Sequence, residues 1–174
     1  MESRLSISPR GHVILSHGME SGPNATKVTR LAAVAEALGY TSERVDDQGI
    51  VDPLARLDRL LPKIDAAPRP LVLVGSSLGA YVSGLASLQR EVAGLFLLAP
   101  PVRIPGGVPD LELRARRIAI VHGWRDELIA PDEVYALAAQ TRATLHLYDS
   151  DHRLTDVVPD IERDFAAFLG HLHA

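Results

Sequence analysis

Residues 71–84 read "LVLVGSSLGAYVSG", an aliphatic run that ends abruptly at Gly75. An apolar run without polar alternation is typical of a strand buried on both faces of a parallel sheet. Two serines framed by glycines follow it, and the small residues beyond them favour a helix that packs close to the sheet. Either these serines lie in an ordinary turn, or Ser77 is presented as a nucleophile.

The rest of the chain alternates apolar runs with amphipathic segments. The apolar runs predict six strands, at residues 12–17, 40–45, 70–75, 92–99, 117–123 and 143–149. The amphipathic segments predict helices near residues 24–39, 53–67, 78–89, 131–141 and 159–172. This alternation predicts an α/β fold, a three-layer α/β/α sandwich with a mostly parallel sheet of about six strands. We expect a single domain spanning residues 1–174.

Two local features refine this prediction. In the second helix, apolar residues recur at Leu54, Leu57, Leu60, Leu61 and Ile64, which predicts the buried face, and Pro62 should weaken or kink that helix. The one long irregular segment, residues 100–116, has little length beyond what a crossover between parallel strands needs, so we expect no cap domain.

Composition excludes several classes of function. The 174 residues are 47% hydrophobic and 23% charged, as in globular proteins. A net charge of -4 argues against a nucleic-acid partner, and no apolar run is long enough to span a membrane. The chain has no cysteine, which excludes disulfides, thiol catalysis and cysteine-ligated zinc, and its start has no apolar signal core. We therefore expect a cytoplasmic protein.

The glycines around Ser77 form the pattern G-x-S-x-G. Gly75, Ser77 and Gly79 match it, between a predicted strand and a predicted helix. In that context the pattern is typical of a nucleophile elbow, a turn so tight that side chains two positions from the serine must be nearly absent. The elbow glycines are therefore predicted to be Gly75 and Gly79, and the nucleophile Ser77.

A serine nucleophile needs a base, and the base needs an orienting acid. His152 follows the last predicted strand, and Asp126 follows the strand before it, so both should lie at the same sheet edge as Ser77. His17 and His122 also lie at this edge, but each precedes a glycine, where a structural hydrogen bond is the expected role. We predict His152 as the base.

The acid has competitors close by in sequence. Glu127, Asp149 and Asp151 also lie in the two loops that carry Asp126 and His152. Asp151 adjoins His152, and side chains of sequence neighbours rarely face each other. We predict Asp126 as the acid, with the other carboxylates as alternatives.

An oxyanion hole would complete the site with two backbone N–H groups. One should come from Leu78, the residue after the nucleophile, and the other from Met19 in the loop after the first strand. The alternative for the His17-Gly18 pair before Met19 is a plain turn.

Four motifs in register give the chain a family resemblance. From about residue 12 to 169 it resembles the α/β-hydrolase superfamily, in particular small uncapped members similar to serine esterases and dienelactone hydrolases. The resemblance rests on "HGMESG", "GSSLGA", "HGWRDELI" and "DHRL", in that order. Dienelactone hydrolases use cysteine as the nucleophile, so Ser77 argues against their substrate.

The resemblance implies hydrolysis of small carboxylic esters or thioesters through an acyl-enzyme on Ser77, with no cofactor and no metal. The alternative is a non-catalytic hydrolase fold that binds a small molecule or a partner protein. Zinc chemistry lacks a typical ligand pair, and no nucleotide-binding glycine motif is present. We expect residues 45–52 and 100–110 to form the rim of the substrate site. Asp46, Asp47 and Arg103 could select a polar group there, although solvated loop charges are the commoner explanation.

Overall fold

The computed structural model of the chain describes residues 6–173. Part of the amino-terminal segment in which we found no signal core, residues 1–5, lies outside the described residues, as does residue 174. The strands are β1 His12–Ser16, β2 Thr41–Arg44, β3 Leu71–Ser76, β4 Gly94–Leu98, β5 Arg117–Gly123 and β6 Thr144–Tyr148. The helices are α1 Thr26–Ala37, α2 Pro53–Ala66, α3 Leu78–Gln89, α4 Pro131–Thr141 and α5 Val158–His171, and a 3₁₀ turn at Thr155–Val157 precedes α5.

The six strands form one sheet in the order β2-β1-β3-β4-β5-β6, and every pairing in it is parallel. The α/β prediction is thus confirmed. The strand order reverses between β1 and β3, because the chain runs outward from β1 to β2 and then returns to β3. In open parallel sheets, ligands bind beyond the carboxyl ends of the strands at such a reversal.

Two apolar cores lie on opposite faces of the sheet, because alternate residues of a strand point to opposite sides. Helices α2, α3 and α4 cover one core, which includes Leu57, Ile64, Tyr81, Leu95, Ile120 and Leu137. Helices α1 and α5 cover the other, which includes Leu31, Val74, Phe96, Phe165 and Leu169. These are the three layers predicted. Among the described residues, no helix is long and apolar enough to cross a membrane.

Helix α2 differs from its prediction in one respect. Leu54, which we assigned to the buried face, is 45% exposed, whereas Arg56 is only 1% exposed. Leu57, Leu60 and Ile64 are buried as predicted, and Arg56 is buried beside them whereas Leu54 is not. Pro62 lies inside the helix and does not end it.

The segment between β4 and β5 contains no helix and packs along α3. A Cβ atom on Gly84 would lie 2.5 Å from Leu111 Cδ1, and the Arg114 N–H donates to Ser87 Oγ at 3.0 Å. Tyr81 donates its hydroxyl hydrogen to the Pro109 carbonyl. Small residues of α3 thus accommodate this segment as well as the sheet. Because the segment lies against α3, it forms no cap, as predicted.

Candidate active site

Ser77 lies in the turn from β3 into α3 with an unusual backbone. Its φ is 53° and its ψ is -116°, a left-handed φ that non-glycine residues rarely adopt. The Ser77 N–H donates to the Leu98 carbonyl at 2.9 Å, and the Ser77 carbonyl accepts from the Ala80 N–H at 2.9 Å. Such strain persists only where surrounding contacts hold it, and it is concentrated at functional sites.

The two elbow glycines permit the close contacts of this turn. A Cβ atom on Gly75 would lie 2.3 Å from the Gly79 carbonyl oxygen. A Cβ atom on Gly79 would lie 2.2 Å from the Ser16 carbonyl oxygen, at the end of β1. Both distances are shorter than any van der Waals contact, so the turn can pack against β1 only when both positions lack a side chain.

Ser77, His152 and Asp126 form a continuous chain of hydrogen bonds. Ser77 Oγ lies 3.0 Å from His152 Nε2, and His152 Nδ1 lies 2.7 Å from Asp126 Oδ2. Because the carboxylate accepts, Nδ1 carries the ring proton and Nε2 is free to accept the Ser77 hydroxyl hydrogen. The structure thus brings together the three side chains that the sequence singled out for catalysis.

The Asp126 side chain is fully buried, and backbone groups hold it. Its Oδ1 accepts the Leu128 N–H at 2.9 Å and the Ile129 N–H at 2.8 Å, which leaves Oδ2 for His152. Sequence analysis missed these two donors. An aspartate that accepts N–H groups two and three residues later is a common turn, so "DELIAP" carried the signal.

The alternative acids do not contact His152. Asp149 forms an ion pair with Arg125 at 2.8 Å. Asp151 accepts the backbone N–H of the residue after His152 at 3.0 Å, and Glu127 points to solvent. Asp126 is therefore the carboxylate that the fold brings to the imidazole.

The other two histidines at this edge make structural hydrogen bonds. His17 Nδ1 donates to the Gly18 carbonyl at 2.7 Å, and its Nε2 accepts the Asp47 N–H at 2.9 Å. His122 Nε2 donates to the Ile129 carbonyl at 3.0 Å and lies 3.5 Å from Asp126 Oδ2. Burial lowers the pKa of His122, although the nearby carboxylate opposes this effect.

Met19 and Leu78, the predicted oxyanion-hole residues, flank Ser77. Leu78 begins α3, where a backbone N–H has no partner within the helix. Neither N–H donates a hydrogen bond to any residue in the 6–173 range. A Cβ atom on Gly18 would lie 3.7 Å from Ser77 Cβ, so the loop that carries Met19 runs beside the serine.

A cavity of about 610 Å³ opens beside Ser77 and His152. Its other lining residues come from the β1–α1 loop, the start of α1, the end of β3 and the loops that carry Asp126 and His152. They are His17, Gly18, Met19, Glu20, Ser21, Ala25, Thr26, Lys27, Val28, Ser76, Leu128, Arg153 and Thr155. The cavity lies at the strand reversal between β1 and β3.

The prediction that residues 45–52 and 100–110 line this site is wrong, because neither segment contributes to the cavity. Asp47 instead forms an ion pair with Arg59 at 2.9 Å, and Arg103 lies 3.5 Å from Asp110. The β1–α1 loop lines the cavity instead of these segments.

Lys27 is the half-buried cation of the cavity, and sequence analysis missed it. Its Nζ donates to the Arg153 carbonyl at 2.6 Å, across the cavity wall beside His152. Burial lowers the pKa of Lys27, and the carboxylate of Asp151 partly offsets this effect. Within residues 6–173, no carboxylate oxygen lies within 4.0 Å of its Nζ.

Of three comparisons with known proteins, only the comparison with solved structures finds matches. No family model and no curated protein matches the chain. Among solved structures, the chain is similar to a protein of the alpha/beta hydrolase superfamily from Xanthomonas campestris pv. campestris, with 46% identity, a TM-score of 0.89, and 92% of this chain and 99% of that one covered. It is also similar in fold to an α/β serine hydrolase without a lid from Xanthomonas campestris, with 21% identity, a TM-score of 0.68, and 91% and 81% of the two chains covered. Est1E from Butyrivibrio proteoclasticus matches at 15% identity and a TM-score of 0.80, with 96% and 90% covered.

Proposed function

The chain belongs to the α/β-hydrolase superfamily, and we propose that it is a serine hydrolase of small carboxylic esters or thioesters, with Ser77 as the nucleophile. The observation that carries this proposal is the chain of hydrogen bonds from Ser77 through His152 to Asp126. The left-handed backbone of Ser77 supports it, because the turn holds the hydroxyl at the mouth of the cavity.

In the first half of the reaction, Ser77 Oγ attacks the carbonyl carbon of the ester as His152 Nε2 takes the hydroxyl proton. The carbonyl π electrons move to its oxygen and give a tetrahedral oxyanion. When this intermediate collapses, the bond to the alcohol or thiol breaks, and His152 returns the proton to the leaving group. An acyl group remains on Ser77.

In the second half, a water molecule takes the place of the alcohol. His152 accepts one water proton as the water oxygen attacks the acyl carbon, and a second oxyanion forms. Its collapse breaks the bond to Ser77 Oγ, which takes the proton back from His152. The products are a carboxylic acid and the free enzyme, so the cycle needs no cofactor or metal.

In both halves of the reaction, Asp126 accepts the hydrogen bond of the His152 imidazole. Its carboxylate holds the ring in the tautomer with Nε2 free, and it stabilises the imidazolium that forms in each half. The N–H groups of Leu128 and Ile129 support this role, because they fix Oδ1 while Oδ2 faces His152. The free N–H groups of Leu78 and Met19 are the proposed donors to the oxyanion.

The cavity supports a small-molecule substrate. Its volume of about 610 Å³ lies in the range usual for small-molecule sites. Met19, Val28 and Leu128 provide apolar surface on its walls, and Lys27 and Arg153 add positive charge near His152. We propose that the acyl or alcohol part of a small ester lies in this cavity.

Labelling with a fluorophosphonate tests the proposal, because this probe phosphonylates an activated serine. We expect the wild-type protein to be labelled and the modified peptide to contain Ser77. Ser77→Ala should abolish both labelling and ester hydrolysis. Ser76→Ala is the matched control, because it removes the neighbouring serine, and it should retain labelling.

Two outcomes would reject the proposal. Labelling that persists in a folded Ser77→Ala protein would show that another residue reacts. A wild-type protein that neither reacts with the probe nor hydrolyses activated esters would instead favour the non-catalytic binding protein.

A further inference from the structure

Arg56 is a buried cation that bonds only to backbone oxygens. It is 1% exposed, and its three hydrogen bonds go to the Ile50 carbonyl at 2.6 Å, the His17 carbonyl at 2.8 Å and the Gly18 carbonyl at 3.2 Å. No carboxylate oxygen of the described chain lies within 4.0 Å of its guanidinium. Burial lowers the pKa of Arg56, and Asp47 partly offsets this effect. Removing a guanidinium from water without an ion-pair partner is costly, so a gain elsewhere must compensate.

Two of the three carbonyls belong to the loop after β1, beside Ser77. The Gly18 carbonyl accepts from both Arg56 Nη2 and His17 Nδ1, the latter at 2.7 Å. The imidazole of His17 is itself fixed, because its Nε2 accepts the Asp47 N–H. Two immobilised donors therefore hold the Gly18 carbonyl toward the protein interior.

The direction of this carbonyl determines the direction of the next N–H. The one cis peptide in residues 6–173 is Arg69-Pro70, so the bond between Gly18 and Met19 is trans. In a trans peptide the C=O and N–H point in opposite directions. Because the buried guanidinium holds the Gly18 carbonyl, the Met19 N–H points the opposite way, out of the interior and toward the cavity that Met19 lines.

We propose that Arg56 is a positioning residue for the oxyanion hole. It holds the Gly18-Met19 peptide so that the Met19 N–H faces the oxygen on which negative charge develops during attack by Ser77. This inference rests on the proposed function. Without Arg56, His17 Nδ1 alone holds the Gly18 carbonyl, and the peptide is less firmly fixed. Rotation of the peptide would replace an N–H donor with a carbonyl oxygen that repels the oxyanion.

Arg56→Met tests the inference, because it keeps the length of the side chain and removes every donor. Arg56→Lys is the second variant, since it keeps the charge and cannot span three carbonyls. Arg44→Met is the matched control. Arg44 also bonds a carbonyl of the β1–α1 loop, that of Pro23 at 2.6 Å, but it does not contact Gly18.

The measurement is kcat per active site for an acetate ester of an activated phenol. Exhaustive fluorophosphonate labelling counts the sites that are correctly folded, so that a loss of folded protein does not count as a loss of rate. Loss of an oxyanion donor typically costs about 100- to 1000-fold in kcat. We expect a loss of about 10- to 100-fold in Arg56→Met, a smaller loss in Arg56→Lys and no loss in Arg44→Met, with KM changed less than about threefold.

Affinity for a trifluoromethyl ketone separates positioning from a purely structural role. This inhibitor forms a tetrahedral adduct with the serine, and its oxygen occupies the oxyanion hole. Its affinity should fall in parallel with kcat/KM across the Arg56 variants. Unchanged kcat per labelled site in either folded Arg56 variant would overturn the inference while leaving the proposed function intact. A wild-type protein without labelling or hydrolysis would instead reject the proposed function itself.

Discussion

His152 Nε2 lies 3.0 Å from Ser77 Oγ, although 75 residues separate them in the chain. Strands β4 and β5 lie between the strands that precede these residues, so the loop after β6 must cross the end of β5. Gly123, the last residue of β5, permits this crossing, because a Cβ atom there would lie 2.3 Å from the Ser150 carbonyl oxygen. The Arg125 N–H then donates to the same Ser150 carbonyl at 2.9 Å. A glycine on β5 thus helps to place the imidazole beside the serine.

Asp126→Asn should lower kcat by orders of magnitude while the loop keeps its shape. The asparagine oxygen can still accept the N–H groups of Leu128 and Ile129, which places the amide NH₂ toward His152 Nδ1. His152 then adopts the other tautomer, with a hydrogen on Nε2, and cannot accept the Ser77 proton. The same change in a well-studied triad costs about 10⁴-fold.

The measurement is kcat for an activated acetate ester, with circular dichroism as the check on folding. A fall of less than about tenfold would reject Asp126 as the orienting acid and direct attention to Asp149 and Asp151.

Gly79→Ala should disrupt the turn that carries Ser77. The added methyl group would lie 2.2 Å from a carbonyl oxygen of β1, and backbone atoms cannot move aside as a flexible side chain can. Overpacking typically costs about 1–3 kcal/mol, and we expect a value near or above the top of that range.

Urea denaturation gives the free energy of unfolding for this variant. Gly170→Ala is the matched control, because its Cβ atom would have no neighbour within 4 Å. Because Gly170 lies in helix α5, where alanine is favoured over glycine, the control should be at least as stable as the wild type. Equal stability of Gly79→Ala and the wild type would contradict the packing that the structure gives this turn.

Sequence analysis predicted the sheet and the grouping of Ser77, Asp126 and His152, because both follow from the parallel direction of the strands. Apolar runs identify parallel strands, and the carboxyl ends of parallel strands meet at one edge. Polar residues placed directly after such runs therefore lie along the same edge of the sheet.

Arg56 and the position of the cavity were not predicted, for a different reason. The prediction for α2 used only the spacing of apolar residues. It therefore assigned Leu54 to the buried face and could not identify Arg56 as buried. A guanidinium can be buried when backbone carbonyls accept its hydrogen bonds, and two of the three carbonyls here, those of His17 and Gly18, lie 39 and 38 residues earlier in the chain. The course of the β1–α1 loop likewise follows from tertiary contacts, so the rim was assigned to the wrong segments.

His122→Gln should weaken the pH dependence of stability. Burial lowers the pKa of His122 from its ordinary value of 6.5, so the unfolded chain binds a proton there more readily than the folded one. The free energy of unfolding of the wild type should therefore fall as the pH drops below about 6.5. Glutamine can still donate to the Ile129 carbonyl but does not titrate.

Urea denaturation between about pH 5 and pH 8 checks this prediction, since histidines change charge in that range. Burial also lowers the pKa of His12, but that histidine is present in both proteins and its effect cancels in the comparison. Parallel stability profiles for the two proteins would rule out a contribution from His122.

Lys27→Met should weaken the binding of esters that carry a carboxylate. The ammonium lines the cavity without a carboxylate within 4.0 Å in the described chain, so a substrate anion could supply one. We expect KM to rise for a glutarate monoester of an activated phenol and to change little for the neutral butyrate ester.

The chain has one other lysine, Lys63, which pairs with Glu43 at 2.6 Å and lies outside this cavity. Lys63→Met is the control, and an equal effect of Lys27→Met on both esters would contradict the prediction.

Acyl chain length should affect the rate only for carbons that the cavity covers. The segment between β4 and β5 packs on α3, so no cap encloses a long acyl chain above the cavity. A methylene contributes about 0.8 kcal/mol only when it is buried, so carbons that extend into solvent add no binding energy. We expect efficient hydrolysis of acetate and butyrate esters, with no further gain in kcat/KM from about eight carbons upward. The measurement is a series from about two to sixteen carbons at concentrations below micelle formation. An optimum at about twelve carbons or more would contradict the expectation that an uncapped site covers only the carbons near the carbonyl.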